Sequence, residues 1–122
     1  MTADDIYVEK ADETGILYRT NHVVSEKLSP LNAEPETRPS THMRYQRIGE
    51  MLAERKGKKM RFQDLLRIMS DHKYEPNCLC RHPHDNDLAQ TVSCTICALE
   101  DFEIWTSIKN PCLSLPHASL ME

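Results

Sequence analysis

Six potential metal ligands fall within a stretch of twenty residues, and they are Cys78, Cys80, His82, His84, Cys94 and Cys97. Thiolates and imidazoles are typical ligands of structural zinc, which often uses a cysteine pair on a tight turn. Here the first four ligands alternate strictly. In an extended segment that rises roughly 3.3 Å per residue, they would spread over about 20 Å. A single ion could not hold all four in that conformation.

The remaining pair, Cys94 and Cys97, has the spacing of a CxxC motif, but it lies in a strand-like run. Residues i and i+3 of a strand point to opposite faces, whereas a zinc site needs both thiolates on one side. The spacing therefore predicts no metal site, and we expect Cys94 and Cys97 to be buried as small apolar residues. A small zinc-binding protein that uses the cluster at 78–97 remains an alternative function.

Asn21 and His22 form a second polar landmark, at the end of a strand-like run. A strand end can hold a polar side chain over an active site, and it is also an ordinary place for a turn to begin. Two elements would have to position this pair. The segments Ile6–Lys10 and Ile16–Thr20 alternate like strands, and the turn-forming sequence ADETG lies between them. Together they predict a β-hairpin.

Two helices are predicted after an irregular, proline-containing loop at Val23–Pro39. Ser40 is expected to cap the first helix, whose apolar stripe is Tyr45, Ile48, Met51 and Leu52, and Gly57 to close it. A shorter helix is predicted from Phe62 to about Met69, with Phe62, Leu65, Leu66 and Met69 on its inner face. The spacing indicates that the two helices pack against each other.

A polar, irregular stretch at Ser70–Leu88 leads to a second predicted hairpin. Its strands are Thr91–Leu99 and Phe102–Ile108, and the tail from Lys109 is expected to run along a sheet edge. Antiparallel hairpins with two packed helices make an α+β fold. Such a half-layer would leave the second face of its sheet uncovered.

Composition narrows the function classes. The 122 residues fit one domain, 1–122, with 39% hydrophobic and 28% charged residues and a net charge of −4. The acidic balance argues against a nucleic-acid partner, and no apolar run is long enough for a membrane partner. Five cysteines, an odd number, follow an N-terminus without an apolar signal region, so we expect reduced thiols and a cytoplasmic location.

Five short motifs follow one another along the chain, and together they resemble a known family. They are Thr20-Asn21-His22, Ser40-x-x-x-Arg44-Tyr45, Asp71-His72, Cys80-Arg81-His82-Pro83 and Thr91-Val92-Ser93. The order is similar to the C-terminal part of the isopenicillin N acyltransferase-like (acyl-CoA:6-aminopenicillanic acid acyltransferase) family, over roughly Ile6 to Pro116. These proteins are cysteine members of the N-terminal nucleophile (Ntn) hydrolases. The resemblance implies a partial αββα sandwich, no cofactor, and a small-molecule acyl or amide substrate.

The resemblance also implies roles for three residues. Asn21 matches the family's oxyanion donor, since a neutral amide stabilises developing charge without competing as a base. Arg44 matches an arginine that neutralises carboxylate or oxyanion charge near the nucleophile. Arg81 would hold a substrate carboxylate. Each residue also has a non-functional interpretation. Asn21 could be a turn former, Arg44 a solvated helix residue and Arg81 a structural residue. His22 and His82 are expected to be structural.

One departure from the family pattern concerns the nucleophile. In the family it lies upstream, in a half that this sequence lacks, and none of the five cysteines replaces it. We therefore expect the C-terminal segment of an acyltransferase or amidohydrolase that is inactive alone. Another chain would supply the N-terminal half, or the chain would self-associate. The competing hypothesis is a non-catalytic interaction module.

Overall fold

The computed structural model describes residues 6–32, 34–113 and 119–120. Helices α1 (Pro39–Ala53) and α2 (Phe62–Met69) precede the strands β1 (Cys94–Ala98), β2 (Glu103–Ser107) and β3 (Ser119–Leu120). The strands form one antiparallel sheet in the order β1-β2-β3. The fold is α+β, as predicted. Neither helix in this part of the chain has the length and apolar character that a membrane crossing requires.

Helix α1 starts one residue earlier than predicted. Pro39 occupies the first turn, and Arg38 stands at the N-cap without a side-chain capping bond, so the predicted Ser40 cap is wrong. Proline suits this position because its fixed φ is already helical and it lacks the N–H that would be left unpaired. Ser40 is thereby placed inside the helix, where its hydroxyl meets Arg44. The helix ends at Ala53, before Gly57, whose φ of 80° fits the turn that follows.

Two small apolar clusters hold the helices in place. In the first, Met51 of α1 packs with Ile68 of α2 and with Leu79, which confirms that the helices contact each other. In the second, the buried residues are Cys94, Ile96 and Trp105, with Phe62, Leu66 and Met69 against them. Leu65 is 38% exposed whereas Ile68 is 5% exposed, so the predicted inner face of α2 was wrong at Leu65. Helix α2 therefore lies between α1 and the sheet.

The β1–β2 hairpin is antiparallel, as predicted. Ile96 pairs with Trp105, and both are buried, while Thr95 pairs with Thr106 on the exposed face. Their hydroxyls lie 3.1 Å apart. Cys94 is buried as predicted, but Cys97 is exposed. The exposure follows from strand alternation, which turns Cys97 away from the face that Ile96 presents to α2.

The predicted N-terminal hairpin does not form in the described residues. A turn does form where it was expected, with the Gly15 N–H donating to the Asp12 carbonyl at 3.0 Å, but neither flanking segment is a strand. Ile6 and Val8 are 81% and 70% exposed, so no packing offsets the entropy of ordering them. A two-stranded hairpin without a covering layer is marginal in water. The alternation at Ile6–Lys10 was therefore not enough to predict a strand.

The two predicted irregular stretches are confirmed. The first contains short 3₁₀ turns at Ser29–Leu31 and Pro35–Thr37. Asn32 closes this loop, because its side chain accepts from the Val23 N–H at 2.7 Å and donates to the Val23 carbonyl at 2.6 Å. The second stretch folds inward, with Cys78, Leu79 and Cys80 buried.

The tail reaches the sheet edge that was predicted for it. Ser119–Leu120 pairs with Glu103 and Ile104 of β2, which makes β3 an outer strand. Residues 114–118 and 121–122 lie outside the described residues.

Candidate functional site

Asn21 and Arg44, which the sequence places 23 residues apart, are in direct contact. The Arg44 guanidinium donates from Nη2 to the Asn21 Oδ1 at 2.7 Å. A guanidinium only donates, so the amide oxygen must face it and the Asn21 N–H₂ group must point away. Asn21 is exposed. Arg44 therefore fixes which end of this amide is presented to solvent.

The backbone at Asn21 is anchored to the first turn of α1. The Asn21 N–H donates to the Thr41 hydroxyl at 2.7 Å, and the Thr20 hydroxyl donates to the Thr41 carbonyl at 2.8 Å. Thr41 is 4% exposed and donates its own hydroxyl to Thr20 Oγ1 at 2.9 Å. Because Arg44 lies one turn beyond Thr41, this anchor sets Asn21 beside the guanidinium.

His22 supports the same anchor. Its Nδ1 lies 2.9 Å from the Thr41 hydroxyl oxygen, whose proton is already directed at Thr20, so Nδ1 is the donor. The ring stacks on His42 with centroids 4.0 Å apart. Burial lowers the pKa of His22, and the nearby charges of His42, Arg44 and Arg19 lower it further. The predicted structural role of His22 agrees with these contacts.

Arg81 joins the site through Ser40. The Ser40 hydroxyl oxygen lies 3.2 Å from Arg44 Nε and 3.4 Å from Arg81 Nη1, so one oxygen accepts from both guanidinium groups. A cleft of about 210 Å³ opens here, and its lining includes Ser40, Arg44, Arg81 and Thr91. Arg44 and Arg81 therefore meet at one serine, which sequence reasoning had assigned to helix capping, and Asn21 joins them through Arg44.

The cleft carries net positive charge. Arg81 pairs with Asp87, while no carboxylate contacts Arg44 in the part of the chain that the structure describes. Burial lowers the pKa of Arg44, and the neighbouring Arg81 charge lowers it further. The Nε of Arg81 is buried and has no hydrogen-bond partner among the described residues. Two guanidinium groups with one carboxylate between them suit an anionic ligand.

A family model now adds to this geometry. The model described as acyl-coenzyme A:6-aminopenicillanic acid acyl-transferase matches residues 1–112. The chain belongs to this family. The resemblance carried by the five motifs is thereby confirmed. No curated protein matches the chain, and no solved structure matches it.

Three cysteines of this acyltransferase-family chain, Cys78, Cys94 and Cys112, have raised thiol pKa values. Burial raises the pKa of the Cys78 and Cys94 thiols. Burial and the neighbouring Cys80 raise the pKa of Cys112 to about 11. A thiol attacks as its thiolate, and a raised pKa removes that form. Cys78 lines the cleft with Arg44, and its Sγ donates to the Cys80 carbonyl oxygen, 3.2 Å away.

A network that sequence reasoning missed lies one turn further along α1. Arg47 donates to both oxygens of Asp71, each at 2.8 Å, and its Nη1 lies 3.1 Å from the Glu50 carboxylate. Glu50 also accepts from the Tyr74 hydroxyl at 2.5 Å. This network ties α1 to the segment after α2. Arg47 had been described only as a flank of the apolar stripe, because its partner is 24 residues away.

A larger cavity lies elsewhere among the described residues of this family member. It measures about 680 Å³ and lies between the Asp12–Tyr18 segment, the end of α1 and the loop at 55–60. The predicted site residues do not line it. Its wall includes Gly49, where an added Cβ would come within 3.0 Å of the Tyr18 hydroxyl.

Proposed function

We propose that this chain supplies the oxyanion-stabilising and charge-neutralising part of an acyltransferase or amidohydrolase site. The observation that carries the proposal is the continuous set of contacts from Asn21 through Arg44 and Ser40 to Arg81. The same three residues belong to the motifs that carry the family resemblance. The substrate class is a small molecule with an amide or acyl thioester carbonyl.

Asn21 is the proposed oxyanion donor. Its oxygen is occupied by Arg44, so its N–H₂ group is the end available to a substrate. An amide donor of this kind lowers the barrier to acyl transfer by about 3–4 kcal/mol when it faces the developing charge. Arg44 adds a full positive charge directly behind the amide, which makes the amide N–H a stronger donor.

The nucleophile is proposed to be a cysteine at the N-terminus of a separate segment of an αββα Ntn sandwich. Its α-amine takes the thiol proton, and its sulfur attacks the carbonyl carbon to form a tetrahedral oxyanion. Collapse expels the amine or thiol with that proton and leaves a thioester, which water or an acceptor amine then cleaves. The burial of Cys78, Cys80 and Cys94 supports a nucleophile from outside this set.

Arg81 is the proposed contact for a substrate carboxylate. One face of its guanidinium is held by Asp87, and Nη1 reaches toward Ser40 at the cleft. A bidentate carboxylate would complete its hydrogen bonding. A substrate that carries both a carboxylate and an amide would therefore span from Arg81 to Asn21.

The test combines this chain with a nucleophile-bearing segment of the same family and measures amide hydrolysis and acyl transfer. The mixture should be active while the chain alone is inactive, and Asn21→Ala should lower kcat by roughly 100-fold or more. Asn86→Ala is the matched control, because Asn86 is an exposed loop residue outside the cleft. Full activity in the Asn21→Ala mixture would remove Asn21 from the mechanism.

A half-sandwich would also need a partner surface. The proposal therefore predicts that the chain self-associates or binds such a segment. Sedimentation should show a complex in the mixture. A stable monomer that melts cooperatively and does not bind the segment would favour the non-catalytic interaction module.

A further inference from the structure

Four side chains from three separate segments converge away from the cleft. His72 follows α2, Cys80 and His82 belong to the loop before β1, and Cys112 follows β2. One ligand atom from each lies within 4.8 Å of all the others. Two of the four, His72 and Cys112, lie outside the stretch 78–97 whose spacing had argued against a metal site.

The three separations from His82 Nε2 are close to those between ligands of one tetrahedral zinc ion. Bond lengths of 2.0–2.1 Å to nitrogen and about 2.3 Å to sulfur place two ligand nitrogens about 3.3 Å apart and a nitrogen and a sulfur about 3.6 Å apart. The Nε2 atoms of His72 and His82 are 3.1 Å apart. His82 Nε2 is 3.9 Å from Cys80 Sγ and 3.3 Å from Cys112 Sγ.

Hydrogen bonding alone does not account for this arrangement. His82 Nε2 has three polar neighbours, His72 Nε2 and the two sulfurs, all approaching one ring nitrogen. A neutral imidazole nitrogen offers either one proton or one lone pair, so it satisfies one of them. A cation between the four atoms uses one lone pair from each and leaves none in conflict.

A buried amide orients the Cys80 sulfur. Cys80 is 0% exposed, and the Asn110 side chain, itself only 4% exposed, directs Nδ2 at its sulfur from 3.5 Å. The same Nδ2 donates to the Arg81 carbonyl at 2.7 Å, which fixes the amide orientation. Donors that orient a ligand in this way are typical of the shell around metal-bound sulfur.

We propose that His72, Cys80, His82 and Cys112 form a structural Cys₂His₂ zinc site. Zinc is the metal that two thiolates and two imidazoles in a closed tetrahedron favour. The ion would join the end of α2, the 78–82 loop and the segment after β2 in a domain whose buried core is small. It replaces the expectation of no metal site drawn from the 78–97 spacing.

The site also explains how Arg81 is presented. Its chain neighbours Cys80 and His82 both point to the ligand cluster, while the Arg81 side chain reaches the other way, to Ser40 and Asp87. Ligands at every second position could not all reach one ion. Two of them, Cys80 and His82, nevertheless lie on the same side of the chain and join the cluster. A zinc ion bound to Cys80 and His82 would fix the Arg81 backbone between them.

The first experiment measures metal in the full chain, purified without chelators. Elemental analysis should find one zinc per chain. After chelation and refilling with Co²⁺, the absorption spectrum should show tetrahedral cobalt with two thiolate ligands. This spectrum reads the ligand set directly, so it tests the proposal even where a variant fails to fold.

Variants then assign the ligands. Cys112→Ser and His72→Gln should each weaken zinc binding by more than about 100-fold, beyond the effect of losing an outer contact. Cys97→Ser and His84→Gln are the matched controls, because both residues are exposed and lie outside the cluster. The controls should keep one zinc per chain.

Three results would overturn the proposal. One is a folded, reduced chain that binds no zinc at micromolar concentration. Another is a cobalt spectrum without thiolate ligation, or metal lost in Cys97→Ser and kept in Cys112→Ser. The third is a Cys80–Cys112 disulfide, seen by mass spectrometry, in protein purified under reducing conditions.

Discussion

Arg44 holds Asn21 by its side-chain oxygen, at 2.7 Å, and so turns the N–H₂ end of the amide outward. The contact joins the first helix to the segment before it across 23 residues. It gives Asn21 a defined orientation although the residue is exposed. An amide held in this way can act as a fixed donor, which is the property that oxyanion stabilisation requires.

Asn21→Asp should separate the contact with Arg44 from the hydrogen bond that the amide N–H₂ group would donate. The carboxylate keeps an acceptor for Arg44 but has no N–H at neutral pH, so folding should be retained while the proposed oxyanion contact is lost. We expect kcat in the reconstituted reaction to fall by roughly 100-fold to 1,000-fold. Asn86→Asp adds the same charge at an exposed loop residue and should leave kcat unchanged. Equal losses in both variants would mean that charge alone is responsible.

Asp71→Asn should destabilise the fold through Arg47. Both side chains are largely buried, 13% and 14% exposed, and they share two hydrogen bonds of 2.8 Å. Removing the charge leaves a guanidinium without its full partner, at a cost of about 1–3 kcal/mol in urea unfolding. The control is Glu54→Gln, whose pair with Arg67 is exposed and 3.5 Å long, and which should change stability by less than about 0.5 kcal/mol.

Glu50 should make the protein sensitive to acid. Hydrogen bonds from Tyr74, Gln46 and Arg47, with the charge of Lys73, lower its pKa from 4.5 to about 2. A lowered folded-state pKa gives stability that is complete above pH 4.5 and is lost as the pH falls toward about 2. Asp71, whose pKa is lowered first by its hydrogen bond from Arg47, loses its contribution in the same direction.

Urea unfolding across this pH range tests whether Glu50 causes the acid sensitivity. Glu50→Gln should flatten the loss of unfolding free energy with acid, because Gln does not titrate. Glu54→Gln, at an exposed position directly after the same helix, should give the same slope as the native protein. A slope that is identical in Glu50→Gln and the native chain would contradict the assignment.

Local patterns predicted the elements that bury apolar residues. Helix α2 and the β1–β2 hairpin carry a clear period and pack against one another, so local preference and tertiary structure agree. Ile6–Lys10 shows the same alternation without a surface to cover it, and no strand forms there. A period therefore predicts an element only where the fold supplies a partner for its apolar face.

The sequence named the candidate site residues, but it did not predict which of them contact each other. The motifs indicated Asn21, Arg44 and Arg81, whereas the role of Ser40 depends on Pro39 taking the first helical position. The convergence of His72 with Cys112 depends on how α2 and β2 end relative to each other. Spacing along the chain carries no information about such distances, so reasoning confined to residues 78–97 missed this cluster.

Phe62→Leu tests the cluster that joins α2 to the sheet. The Phe62 ring meets Trp105 edge to face, with centroids 5.8 Å apart, and Trp105 is 2% exposed. Leucine keeps an apolar side chain but loses the aromatic contact and some volume, at an expected cost of about 1–2 kcal/mol. The single tryptophan reports unfolding by fluorescence in both proteins.

The matched control is Leu65→Ala, on the same helix but on its solvent side. Alanine is the better helix former, and a side chain that is 38% exposed packs little, so stability should change by less than about 1 kcal/mol. A larger loss in Leu65→Ala than in Phe62→Leu would mean that the face of α2 carrying Leu65 is covered in solution. Under the proposed function, that face of α2 would be the surface that contacts the proposed partner segment.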